Sequence, residues 1–313
     1  MNQPQNVTDY PNNNTIFMVW KFKDGAAIKP AFEQLCALVE NINRSYAIRI
    51  VKGRTSCVLG VGYDAWKKLG LPTPLPKELA EFEPIVGERH TAVSTPGDLH
   101  LHLRALDMGI CFDMASDITA VLEPVAECSL EIHGFRYWDG RSILGFVDGT
   151  ENPIGEERQL FALVGDEDPV YKGGSYLFVQ KYLHEMKNWT ALSTEDQEKV
   201  IGRYKMSDIE MTDEVKPSNS HSALAGIEDA EGNDLKIIRD NMPFGHPAKG
   251  EVGTYFIAYA NTFSTVKEML TRMFIGSPPG NSDRILDFST AKTGTLYFVP
   301  TITMLQSYSA TSE

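Results

Sequence analysis

The 313-residue chain predicts an α+β protein made of two ferredoxin-like units with antiparallel sheets. Two observations carry this. Strand and helix patterns alternate as β, α, β, β, α, β in each half, the order of a ferredoxin-like unit. Between the halves, Gly140 to about Gly174 is rich in Gly, Pro, Asp and Glu and reads as a long ordered connection. The expected division is an N-terminal domain at 1–144 and a C-terminal domain at 145–313. No residue-level repeat accompanies the rhythm, so any duplication is architectural or ancient.

A polar, Asn-rich leader of about 14 residues is expected to be mobile. Thr15 to Phe22 (TIFMVWKF) is rich in aromatic and β-branched types, as a buried strand requires. Pro30 then opens a helix whose Ala31, Leu35, Leu38, Val39 and Ile42 share one face. Ser56 to Val61 and Leu99 to Leu103 read as strands. Met114, Ile118, Val121 and Leu122 restore the helical period, and Cys128 to Phe135 gives the next strand. In the second half, Tyr176 to Tyr182 is a strand, and Thr194-x-x-Gln197 predicts a capping box for a helix over Glu195 to Tyr204. Strand Thr254 to Tyr259, a helix carrying Val266, Leu270, Met273 and Phe274, and strand Thr295 to Val299 complete it.

The formal charge of −13 is spread along the chain, which argues against nucleic acid and anionic membranes as partners. Cys36, Cys57, Cys111 and Cys128 form no C-x-x-C pair, and three of them sit in apolar surroundings that suit buried thiols. MNQPQNVTDYPNNNT lacks the basic and apolar regions of a secretory signal, and no apolar run reaches the roughly 18 residues of a membrane span. A cytoplasmic protein is expected.

Several residues suggest chemistry. GFVDGTENP (Gly145 to Pro153) is an Asp-Gly turn followed by an Asn-Pro turn at a strand end. His221 lies among small residues in KPSNSHSALAG, where an imidazole could approach a bulky ligand. In LKIIRDNMPFG, alternation places Arg239 on the same side as Ile237, where it pairs with a carboxylate or serves a buried anion. His100 and His102 share one strand face; without a Cys or H-x-x-E-H partner they are expected to face solvent rather than bind metal. Trp20, Trp66, Trp138 and Trp189 are expected in the core. No dinucleotide, esterase or Walker motif is present.

Five blocks in order give this chain its resemblance: GFVDGTENP, GGSYLFVQKYLHEMKNW (Gly173 to Trp189), IGRYKMSDIE (Ile201 to Glu210), SHSALAG (Ser220 to Gly226) and IIRDNMPFG (Ile238 to Gly245). Together they resemble the bacterial dye-decolourising peroxidases, most closely the B-type cytoplasmic branch, from the strand at Thr15 to the strand at Thr295.

The resemblance implies haem b, one per subunit, bound mainly by the C-terminal half. His221 becomes the axial ligand of the haem iron. Asp148 and Arg239 become the residues that act on hydrogen peroxide, with Asn241 in a secondary role. Gly149, Thr150, Glu151 and Asn152 are implied to contact the haem edge. In NSDRILDF, Asp283 rather than Asp287 is taken as the acceptor for the axial imidazole. The implied reaction reduces hydrogen peroxide to water while oxidising dyes, phenols and similar small aromatic reductants. A haem carrier on the same scaffold is the alternative. A homodimer or larger homo-oligomer is expected; an encapsulin shell is not, because MLQSYSATSE does not resemble a cargo tail.

Overall fold

The computed structural model describes residues 2–50 and 52–309; the last four residues of the MLQSYSATSE ending lie outside them. The N-terminal half runs β1 (Asn14–Phe22), α1 (Ile28–Arg49), β2 (Ser56–Gly62), α2 (Tyr63–Leu69), a short hairpin of β3 (Ile85–Val86) and β4 (Thr91–Ala92), β5 (Leu99–Ala105), α3 (Met108–Leu122) and β6 (Ala126–Phe135). The connection carries α4 (Glu157–Ala162). Then follow β7 (Ser175–His184), α5 (Met186–Thr190), α6 (Thr194–Ile201), α7 (His221–Ala225), and the short pair β8 (Ile227–Glu228) and β9 (Asp234–Leu235). β10 (Ile238–Arg239), β11 (Met242–His246), β12 (Glu251–Ala260), α8 (Phe263–Phe274), β13 (Ser289–Ala291), β14 (Thr295–Val299) and α9 (Ile302–Ser309) close the chain.

The main sheet has the order β10-β12-β7-β14-β2-β5-β1-β6, with β11 beside β12 and every pairing antiparallel. Each half contributes its strands in the same spatial order, so the predicted pair of ferredoxin-like units is present. The halves join where Tyr297 and Phe298 of β14 pair with Gly62 and Val61 of β2. At the other end β11 packs beside β6, and a Cβ on Gly134 would come within 2.6 Å of Met242 Cβ. The sheet therefore wraps around a shared interior.

Strand alternation feeds two cores. Ile16, Met18 and Trp20 of β1, Leu99, Leu101 and Leu103 of β5, and Leu296 and Phe298 of β14 pack in the helix-covered core. Phe17, Tyr255, Ile257, Tyr259 and Tyr297 fill the interior between the halves.

This arrangement corrects the expectation for His100 and His102. Both are fully buried, because the second face of β5 meets the other half of the wrapped sheet instead of water. Tyr255 Oη lies 3.1 Å from His100 Nε2, and Tyr259 Oη lies 2.8 Å from His102 Nδ1. Burial lowers the pKa of His100 to about 3 and depresses that of His102, to which the nearby Arg104 charge adds.

The leader is also tied down. Gln5 donates to Leu59 O at 3.0 Å and Pro300 O at 2.8 Å and accepts from Leu59 N at 2.9 Å, while Val7 is buried. Its polar side chains satisfy backbone groups at the seam of the two halves, so composition alone misrepresents it. Trp20, Trp66 and Trp189 are core residues, but Trp138 is 78% exposed, on a left-handed turn residue (φ 49°) that turns its ring outward. The N-cap of α6 is Ser193, whose hydroxyl accepts from Asp196 N; Thr194 is already helical, and Gly202, at φ 86°, ends the helix before Tyr204. Cys36, Cys57 and Cys111 are buried free thiols and Cys128 is half-buried. No helix among the described residues is long and apolar enough to cross a membrane.

Candidate active site

A cavity of about 530 Å³ opens in the C-terminal half, within the range typical of ligand pockets. Its walls come from the 145–151 loop, β8 to β10, β12, α7 and α8. Phe146, Ile237, Phe256, Leu270, Met273 and Ile285 make most of the surface apolar.

His221 opens α7, with Ser220 as the preceding cap residue, and faces this cavity beside Ala223, Ala225 and Gly226. Its Nδ1 lies 2.7 Å from Asp283 Oδ2. A carboxylate accepts through this contact, so Nδ1 is the donor, and in the neutral imidazole Nε2 then presents a lone pair. Asp283 is 1% exposed and firmly placed: its N–H donates to Met273 O at 2.9 Å and its Oδ1 accepts from Ile285 N at 2.9 Å. Asp287 is engaged elsewhere, 3.0 Å from His90 Nε2 and 2.8 Å from Arg89 Nη2.

Asp148, Arg239 and Asn241 line the same cavity from other elements. Alternation along 237–241 sends Ile237, Arg239 and Asn241 to the cavity and buries Ile238 and Asp240 behind them. The Asn241 amide lies between two partners. Its Nδ2 donates to Asp148 Oδ1 and Oδ2 at 3.2 and 3.1 Å, and its Oδ1 accepts from Ile257 N at 3.1 Å. Asn241 thus ties the 145–152 loop to β12.

Asn152 has a different place from its three predecessors. Gly149, Thr150 and Glu151 line the cavity, whereas the Asn152 amide brackets the Arg239 backbone, accepting from Arg239 N at 2.8 Å and donating to Arg239 O at 2.7 Å. It substitutes for a neighbouring strand at this point. Gly149 has φ 84°, and a Cβ there would sit 2.9 Å from Asn152 Nδ2, so glycine permits the turn that delivers Asn152.

Sequence reasoning named Asp148, Glu151 and Arg239 but missed other charged residues of the lining, among them Arg203, Glu210 and Lys216. Arg203 Nη1 donates to Glu151 Oε1 at 2.9 Å and Glu210 Oε2 at 3.1 Å, and Lys216 Nζ lies 2.9 Å from Glu210 Oε1. These residues line the cavity together with His184, which is held between Ser289 Oγ and Thr254 Oγ1 at 2.8 Å each. The block IGRYKMSDIE contains Arg203 and Glu210, but their ion pair forms only once the loop folds back. Among the described residues, no cluster of three or more His, Cys, Asp or Glu could hold a metal by itself.

A histidine backed by a buried carboxylate thus shares an apolar cavity with a carboxylate, a guanidinium and an amide. Two family models match this chain, Dyp-type peroxidase, N-terminal, over residues 4–136 and Dyp-type peroxidase, C-terminal, over residues 139–304. The chain belongs to the Dyp-type peroxidase family.

A dye-decolorizing peroxidase of Rhodococcus erythropolis is 47% identical over 302 residues, covering 96% of this chain and 88% of that protein. The encapsulated Dyp-type peroxidase of Mycobacterium smegmatis superposes with a TM-score of 0.94 at 48% identity, covering 97% of this chain and 98% of that one. A Rhodococcus jostii DypB variant in complex with heme gives a TM-score of 0.92 at 45% identity, covering 97% and 98%. This Dyp-type chain is therefore a peroxidase by family and by fold.

Proposed function

We propose that this Dyp-type peroxidase holds one haem b per subunit in the cavity, with His221 Nε2 as the iron ligand, and reduces hydrogen peroxide with electrons from dyes, phenols or similar donors. The observation that carries the reading is the His221–Asp283 pair: the buried carboxylate fixes the imidazole tautomer and leaves Nε2 bare in an apolar cavity. Gly149, Thr150 and Glu151 would border the group, and Arg239 and Arg203 offer cations for its carboxylates. When bound, haem supplies the iron centre that takes oxidising equivalents from peroxide and passes them to one-electron donors.

The protein's own residues handle the protons and charge. Asp148 takes the proton from one peroxide oxygen and returns it to the other, so that cleavage, with two electrons and two further protons, yields two waters. Arg239 stays charged throughout; it stabilises the hydroperoxide anion and the negative charge that grows as the O–O bond breaks. Asn241 orients Asp148 through its amide. Asn152 acts at one remove, by fixing the Arg239 backbone. A haem carrier on the same scaffold has no use for this assembly.

The same reading divides the chain near 144/145 and places the protein in the cytoplasm as a homo-oligomer. Four free cysteines suit a reducing compartment. It includes no nucleic acid, membrane or shell partner, although the Mycobacterium smegmatis relative is encapsulated.

The test is the absorption spectrum of haem-supplemented protein and of His221→Ala, before and after one equivalent of peroxide. A histidine-ligated ferric Soret band that shifts with peroxide, and is weakened or altered in the variant, supports the reading. A band indifferent to peroxide supports a carrier, and absence of a band removes haem.

A further inference from the structure

Behind the strand that carries Arg239 and Asn241 lies a charge pair that the peroxide chemistry does not use. Asp240 points into the interior between the halves and is 1% exposed. Its Oδ2 accepts from Arg104 Nη1 at 2.8 Å, and Arg104 is equally buried. Arg104 belongs to β5, in the N-terminal half. Its Nε donates to Ser56 Oγ on β2 at 2.9 Å and its Nη2 to the Asn6 carbonyl of the leader. Two N-terminal segments thus hold the guanidinium that β5 carries, and its Nη1 is spent on one residue of the C-terminal half.

That residue occupies a particular place. Asp240 separates the two residues that face peroxide, and its own N–H donates to Ile257 O at 3.2 Å, beside the Ile257 N–H that Asn241 receives. In an extended chain, fixing the side chain of the middle residue fixes the pleat that turns both neighbours the other way. Burial of such a pair is a poor route to stability, since apolar residues of similar volume often serve as well or better. Its value here is geometric.

We propose that Arg104 and Asp240 are positioning residues for the peroxide face, by which the N-terminal half sets the reach of Arg239 and Asn241. The proposal rests on the reading that Arg239 and Asn241 act on peroxide. Asn152 holds the Arg239 backbone from the flank, Asn241 bridges to Asp148 in front and β12 holds the segment edge-on, so the ion pair supplies the constraint from behind.

The experiment compares wild type with Asp240→Asn, Arg104→Lys and the double variant Arg104→Met with Asp240→Leu, which refills the space with apolar side chains. In the haem-loaded enzyme, the rate constant for peroxide should fall by about 10- to 100-fold, the scale of a misplacement near 1 Å, while the KM for the reducing dye and the ferric Soret band stay unchanged. In the haem-free protein, amide exchange over residues 238–242 should quicken at least tenfold (roughly, for a lost local constraint), with α1 and α3 unaffected.

Any folded variant of the three with wild-type peroxide kinetics and wild-type exchange at 238–242 overturns the proposal, and so does loss of fold in all three, which would make the pair a folding element only. If wild-type holoenzyme itself ignores peroxide, the peroxidase assignment fails, and exchange in the haem-free protein then judges the pair alone.

Discussion

His221 Nδ1 and Asp283 Oδ2 stand 2.7 Å apart, with the carboxylate sealed from solvent and the imidazole open to the cavity. Sixty-two positions of sequence separate the two residues. The contact exists because Asp283 follows α8 and caps the turn Arg284–Asp287, which packs against the segment leading into α7.

From this contact, Asp283→Asn should raise the reduction potential of the bound haem and slow the peroxide reaction about 10- to 100-fold, the usual scale for removing a partner of a ligating histidine. The amide is nearly isosteric, so haem content should remain close to that of wild type. Spectroelectrochemical titration beside stopped-flow mixing tests this; an unchanged potential would refute the role given to Asp283.

Arg239→Leu should impair the peroxide reaction near neutral pH more than Asp148→Asn. Deprotonated peroxide can bind without a base but still needs a cation nearby. Removing an electrostatic donor of this kind costs about 10²–10³ in rate. The ordering fails if Arg239→Leu keeps near-normal reactivity while Asp148→Asn loses it.

Acid should unfold this protein through its buried histidines. Burial lowers the pKa of His100 to about 3 and of His184 to about 4, and depresses that of His102, each from 6.5 in the unfolded chain. The unfolded state therefore binds more protons below about pH 6.5. Stability is complete above that value and declines as pH falls toward 4, by about 1.4 kcal/mol per pH unit for each histidine. Urea midpoints of apoprotein between pH 7 and 4.5 measure the slope. His100→Gln, which keeps a partner for Tyr255, should flatten it, and an equal slope in the variant would contradict the account.

Gly149→Ala should destabilise the loop by about 1 kcal/mol or more through its positive φ and displace Asn152, loosening Arg239. The expected readout is a lower thermal midpoint together with a slower peroxide reaction. A lower midpoint with unchanged peroxide kinetics would separate the turn from the site.

Local pattern was a good guide to what each strand and loop is. β1, α1, β2, β5, α3 and β6 stand within a few residues of their expected places, because apolar periodicity depends on neighbours in sequence. The blocks around Asp148, His221 and Arg239 identified the family by residue type and order. Alternation even placed Ile237 and Arg239 on one side.

What faces that side is a different question, and only the tertiary structure decided it. His100 and His102 share a strand face as expected, yet that face is buried, because the two half-sheets join through β14 and β2 and wrap around it. The leader, polar in composition, became ordered by closing hydrogen bonds at the seam. Asn152 came to hold the Arg239 backbone and Asp240 to meet Arg104 across the halves. By itself, the sequence determined element types, their order and the chemical kinds of side chain. Pairings between distant residues arise from how sheets close and cores fill, and periodicity along one strand carries no information about the strand that comes to lie against it.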